Sequence, residues 1–183
     1  DASAAVGYYL QVLRERPRLS LDLLDRYGTD LLEAVVALDK AGVDHRDIKP
    51  ANVLVTRQGR RLHAKLMDFG VAHMGPSGLT QSGVWMGTVS YMAPEYLDTG
   101  RATASSDVFA LGVILYEILS GGRKPFQGES TTSVLNCILR HAPEPIRPAD
   151  LREVPGSLVA VVDRALAKRP EDRYPDAESL GIA

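Results

Sequence analysis

Apolar residues recur at helical spacing along most of this chain. Val6, Tyr9, Leu10 and Leu13 fall on one side of a helix over 3–16, and Pro17 breaks it. Over 20–42 the pattern predicts one or two helices. Leu23, Leu24 and Tyr27 form one patch, and Leu31, Leu32, Val35, Val36 and Leu38 form another, with Gly42 as a stop signal. Polarity then rises sharply over AGVDHRDIKPAN at 41–52. VLVT at 53–56 and AKLMDF at 64–69 read as strands joined by a polar, hairpin-like RQGRR. Residues 70–90 hold five glycines and no period, which predicts a long surface loop.

SSDVFALGVILYEIL at 105–119 is apolar almost all round, so it predicts a helix buried mid-domain, with Ser105 and Ser106 as N-cap candidates. TTSVLNCILR predicts a shorter helix, on which Cys137 reads as a small core residue. A Pro-rich connection follows. SLVAVVDRALAKRP predicts an amphipathic helix ended by Pro170, and EDRYPDAESL opens a last one. The sum is a mainly helical α+β chain with a short β-hairpin near 50–70.

Composition narrows the function classes. The 183 residues suit one domain, and 45% hydrophobic with 24% charged residues is ordinary globular usage. Lys plus Arg is 21 against 23 for Asp plus Glu, a balance that favours neither nucleic acid nor an anionic membrane. The single cysteine excludes an internal disulfide or a Cys-based metal site and fits a reducing compartment. No apolar run is long enough to span a bilayer. The start lacks signal-peptide features and an initiator Met, so the chain is expected to begin inside a longer polypeptide.

The polar stretch carries the chemistry. His45-Arg46-Asp47-Ile48-Lys49-Pro50-Ala51-Asn52 places an Asp and an Asn five apart with a Lys between, and Asp68-Phe69-Gly70 follows a predicted strand. Asp and Asn oxygens are hard ligands for Mg²⁺, which bridges phosphate oxygens. A Lys ammonium offsets charge on a transferred phosphoryl group. A further Asp orients a hydroxyl and takes its proton. His63, His73 and His141 lack ligand spacing and read as solvated or capping residues.

In order and spacing these motifs resemble the C-terminal lobe of a eukaryotic-type Ser/Thr protein kinase. HRDIKPAN matches H-R-D-x-x-x-x-N, DFG the metal-binding loop, and MAPE the A-P-E motif. Compact loops and alanine-rich helices resemble bacterial members. The resemblance implies a kinase C-lobe over 1–183, with a catalytic loop at 45–52, an activation segment at 68–95 and an N-lobe upstream of residue 1. It implies Asp47 as catalytic base with Lys49 at the γ-phosphate, Asn52 and Asp68 as metal ligands, and Leu54 beneath the adenine. Lys49, Asn52, Leu54 and Asp68 would together bind ATP. Thr88 would bond the catalytic Asp beside the substrate. His45, Arg46, Glu95, Asp107 and Arg173 would be structural support: Glu95 with Arg173 as a buried ion pair, Asp107 gripping the catalytic-loop backbone. Arg46 goes with control by a phosphorylated activation loop, for which Ser77, Thr80 and Ser82 are the candidate phosphosites. ATP with Mg²⁺ or Mn²⁺, protein substrates and a cytoplasmic location are implied with them. Met86, Val89 and Met92 suggest an apolar residue after the target hydroxyl. Ala51, where kinases selecting basic substrates often place Glu, argues against a demand for upstream Arg.

Several features depart from the pattern. Asp44 stands where an apolar residue is usual, so it must be exposed or partnered. Asp39 replaces a common His, and Phe109 a common Trp. A Gly-rich loop and a strand Lys are absent, so this chain alone is expected to be inactive. A non-catalytic kinase-like module and a small-molecule kinase of related fold are the alternatives. APE together with the Lys49–Thr88 pair favours a protein hydroxyl over a small molecule.

Overall fold

The apolar run at 105–119 forms a buried central helix, against which the helices over 29–40, 156–165 and 177–182 pack. A computed structural model describes residues 27–58, 61–68, 89–146 and 155–183. The predicted helix over 3–16, the first part of the 20–42 stretch and the 69–88 part of the predicted loop lie outside those residues. Among the described residues the order is α1 (Thr29–Lys40), β1 (Val53–Gln58), β2 (Arg61–Leu66), α2 (Pro94–Thr99), α3 (Ala104–Leu119), α4 (Thr131–Arg140), α5 (Gly156–Ala165) and α6 (Ala177–Ile182). Short 3-10 turns stand at Pro50–Asn52 and Pro170–Asp172. None of these helices is long and apolar enough to cross a membrane.

α3 is buried at every residue but Ala104 and Leu115. Its cap corrects the expected one. Thr103 precedes the helix and donates its N–H to Ser106 Oγ at 3.0 Å, while Ser105 Oγ bonds Pro170 O. Thr103 is the last residue with extended backbone, so it takes the N-cap position and forms a capping box with Ser106. α5 crosses α3 at Gly112, where an added Cβ would stand 2.9 Å from Ala165 Cβ. That approach admits no larger side chain at either position without displacement.

α1 buries Leu31 and Val35 against this core and ends at Lys40, just before Gly42, which takes φ +69. Asp39 has a structural use: its carboxylate accepts the Ala177 N–H at 2.9 Å, capping α6. Phe109, in place of the common Trp, stacks with Phe126 at 5.9 Å and lies under Arg173. Cys137 is partly buried and packs against the core, with Sγ 3.4 Å from Gln127 O.

β1 and β2 pair antiparallel in the register Val53↔Leu66 to Gln58↔Arg61. Both strands run further into RQGRR than expected, and β2 stops at Leu66. Beyond it, Met67 turns its backbone to the polar stretch, donating its N–H to Asn52 O at 2.8 Å. Asp30 of α1 pins the hairpin by accepting the Ala64 N–H at 2.8 Å. α5 also stops short of Pro170, at Ala165. Beyond its end the carbonyls of Ala167 and Lys168 accept from the Arg173 guanidinium.

Candidate active site

Pro50 opens a 3-10 turn that folds residues 50–52 back towards Asp47. Asn52 Nδ2 donates to both Asp47 O and Asp47 Oδ2, each at 2.8 Å. Lys49 Nζ donates to the same Oδ2 at 2.7 Å. Asp47 therefore faces one ammonium and one amide, while its side chain stays 21% exposed. Charge-assisted bonds of this length fix a carboxylate's orientation.

His45 ties this loop to the end of the hairpin. Its fully buried ring accepts the Asp47 N–H at Nδ1 (3.3 Å) and donates from Nε2 to Met67 O (3.0 Å). That pattern requires the neutral Nε2–H tautomer. Burial lowers the imidazole's pKa, against the bond to Met67 O and the charges of Asp47 and Asp68. Both carboxylates thus act on the same imidazole. Asp68 itself is exposed, with φ +61, in a left-handed conformation that Asp tolerates better than most residues.

The loop backbone is held from below. Arg46 also has positive φ, +70. Asp107 near the start of α3 accepts the N–H groups of His45 (2.7 Å) and Arg46 (2.9 Å), offsetting the cost of that conformation. Burial pushes Asp107 up to about 6, although both N–H bonds pull the other way. Asp44 has a partner: it pairs with Arg46 at 3.6 Å, with both side chains about one-third exposed.

Glu95 and Arg173 meet 78 residues apart in sequence. Every guanidinium N–H has an acceptor: Glu95 Oε1 and Oε2 (both 2.8 Å), Ala167 O (2.6 Å), Ser105 O (3.1 Å) and Lys168 O (2.8 Å). Burial raises the Glu95 pKa, but bonds from Arg173 and Ser106 outweigh it and hold the carboxyl below its ordinary range.

Leu54 lies partly buried on β1 opposite Lys65. Thr88, Met86 and the candidate phosphosites Ser77, Thr80 and Ser82 lie outside the described residues. Val89 corrects the substrate expectation: it is 1% exposed and belongs to the core. Met92 instead lines a small crevice with Arg46, Asp47, Tyr91 and Ala93.

Sequence reasoning passed over one group. Glu117, fully buried on α3, accepts the Tyr91 hydroxyl at both oxygens, 3.0 and 2.9 Å. Lys124 stands over the Tyr91 ring, 4.8 Å from its centroid. The available signal was a carboxylate inside the apolar run that follows Asp107 on the same helix. Burial raises Glu117 to about 7, and Lys124 and Tyr91 restrain the rise.

These shifts set a pH dependence. Glu117 and Asp107 are harder to ionise folded than unfolded, so their stabilising contribution is complete below about pH 4. It is lost as pH rises through their folded values, about 7 and about 6. We expect Glu117→Gln to remove roughly 3 kcal/mol of this loss. Urea unfolding at pH 5 and pH 8 checks it: the gap between the two midpoints should narrow in the variant.

Residues 4–180 match the protein kinase domain family, and the chain belongs to that family. Serine/threonine-protein kinase PkaA of Streptomyces coelicolor is 42% identical over 169 residues, covering 92% of this chain and 30% of that protein. The probable serine/threonine-protein kinase PknB of Lactococcus lactis is 36% identical over 174 residues, covering 93% and 26%. Serine/threonine-protein kinase PknH of Mycobacterium tuberculosis is 40% identical over 159 residues, covering 85% and 24%. The chain thus spans less than a third of the length of these relatives.

Proposed function

We propose that this chain is the C-terminal lobe of a Ser/Thr protein kinase that moves the γ-phosphoryl group of ATP to protein hydroxyls. The observation that carries this reading is the convergence of Lys49 and Asn52 on one oxygen of Asp47, at 2.7 and 2.8 Å. Phosphoryl transfer asks a protein mainly for positioning and charge stabilisation. Asp47 orients the acceptor hydroxyl and receives its proton as the new oxygen–phosphorus bond forms and the bond to the departing ADP breaks. Lys49 offsets charge on the transferred group. Leu54 supplies apolar surface beneath the adenine.

Asn52 and Asp68 fit a hard divalent cation. The Asn52 amide nitrogen is engaged by Asp47, which leaves its carbonyl oxygen as the ligand atom, and Asp68 offers a carboxylate. When bound, Mg²⁺ or Mn²⁺ supplies positive charge along the phosphates.

In this reading a small lobe upstream provides the remaining half of the nucleotide site, within a longer, cytoplasmic polypeptide. The 183 residues contain no Gly-rich G-x-G-x-x-G loop. The chain alone is therefore expected to transfer phosphate at under about 1% of the parent protein's rate, since positioning supplies most of the rate enhancement. A radiolabelled-ATP assay with Mg²⁺ on the chain and on the parent polypeptide tests this. Equal turnover would refute the lobe assignment, and no turnover by the parent would refute kinase activity.

A further inference from the structure

Asp44 plays no part in the chemistry proposed above, and its charge falls where like charges already gather. Burial raises the carboxyls of Asp39 and Asp107, and the charge of Asp44 raises both further. A carboxylate in that company needs a cation, and the Arg46 guanidinium stands 3.6 Å from it.

Arg46 in turn is held unevenly. Its main chain is fixed, with φ +70 and the N–H given to Asp107 Oδ1 at 2.9 Å. Its side chain is not: Nε is buried and has no hydrogen-bond partner among the described residues. Arg46 directly precedes Asp47, and the two line one crevice with Tyr91, Met92 and Ala93. Whatever steadies the guanidinium therefore bears on the peptide that carries Asp47. A guanidinium with spare donors is a ready partner for phosphate, and pairing of that kind is how added phosphate orders a segment. In this chain a carboxylate from two positions away already faces it.

We propose that Asp44 is a positioning residue: its carboxylate is the built-in counter-ion of Arg46, so that the loop carrying Asp47 keeps its working form without a phosphate on the chain. This deepens the kinase reading and rests on it.

The size of the effect is bounded. An ion pair with both side chains about one-third exposed shifts an equilibrium by about fivefold at most. Asp107, which grips the backbone, carries the rest of the hold. The crowding of carboxylates also gives the test a sign. Removing the Asp44 charge relieves Asp39 and Asp107, so the fold should not weaken while the loop loosens.

The test uses the parent polypeptide as wild type, Asp44→Asn and Asp44→Glu, each before and after phosphatase treatment. Initial rates are read at saturating acceptor peptide. Wild type and Asp44→Glu should keep their kcat after phosphatase. Dephosphorylated Asp44→Asn should show a kcat about fivefold lower, with the KM for ATP and the urea midpoint unchanged. A wild type that loses as much on phosphatase treatment as Asp44→Asn would overturn the proposal. So would undiminished kcat in dephosphorylated Asp44→Asn, or a loss of kcat matched by a lower urea midpoint. Amide hydrogen exchange over residues 45–47 gives a readout independent of activity. Protection should fall about fivefold in dephosphorylated Asp44→Asn and stay at the wild-type level in Asp44→Glu. Equal protection in wild type and Asp44→Asn refutes the counter-ion role even in an active kinase. A fall in protection with no turnover by any form refutes the kinase reading and leaves the hold of Asp44 on Arg46 standing.

Discussion

Replacing Asp47 by Asn in the parent polypeptide is expected to lower phosphoryl transfer by about 10²- to 10⁴-fold, the usual contribution of a positioned general base. The amide has nearly the same shape but cannot accept the hydroxyl proton. It also exchanges the charged 2.7 Å partner of the Lys49 ammonium for a neutral one. Stability should change little, because a partly exposed pair of this kind contributes at most about 1 kcal/mol. Turnover with a protein or peptide acceptor, measured alongside a urea midpoint, separates the two effects. Undiminished turnover would remove Asp47 from the chemistry.

The second large effect is on folding. Arg173→Met should destabilise the domain by about 3–5 kcal/mol, the cost of breaking a buried ion pair from one side. The loss strands Glu95 and leaves three backbone carbonyls without their donor. Against a typical total of about 5–15 kcal/mol, that is a substantial share. Arg173→Lys should fare little better, since one ammonium cannot reach five acceptors in a plane. Adding Glu95→Gln to Arg173→Met should recover part of the loss by removing the stranded charge. Chemical unfolding of the three variants measures this. A change below about 1 kcal/mol in Arg173→Met would mean that the fork carries little net energy.

Much of the fold was legible because its elements follow local pattern. The all-apolar face of 105–119 required a buried helix, and α3 is one. The spacing of Leu31 and Val35 required a helix with one buried face, and α1 has it. Element ends were less legible, since distant groups decide them. α5 stops at Ala165, short of the Pro170 that pattern alone would make its end, and β2 stops where Met67 turns to Asn52 and His45. Val89 shows the same limit for function: an apolar residue in a loop reads equally as substrate contact or core, and only packing separates them.

The residue types at 45–52 and at 68 define by themselves a hard-oxygen and ammonium donor set, because the chemistry resides in the side chains and their spacing is local. The Asp44–Arg46 pair, the cap that Asp39 gives α6, the five-fold anchoring of Arg173 and the Tyr91–Glu117–Lys124 cluster were decided only by tertiary structure. Most join groups tens of residues apart, and no pattern along one segment encodes which buried charge will meet which partner. Even the nearby Asp44–Arg46 contact depends on the left-handed turn that Asp107 imposes from another helix.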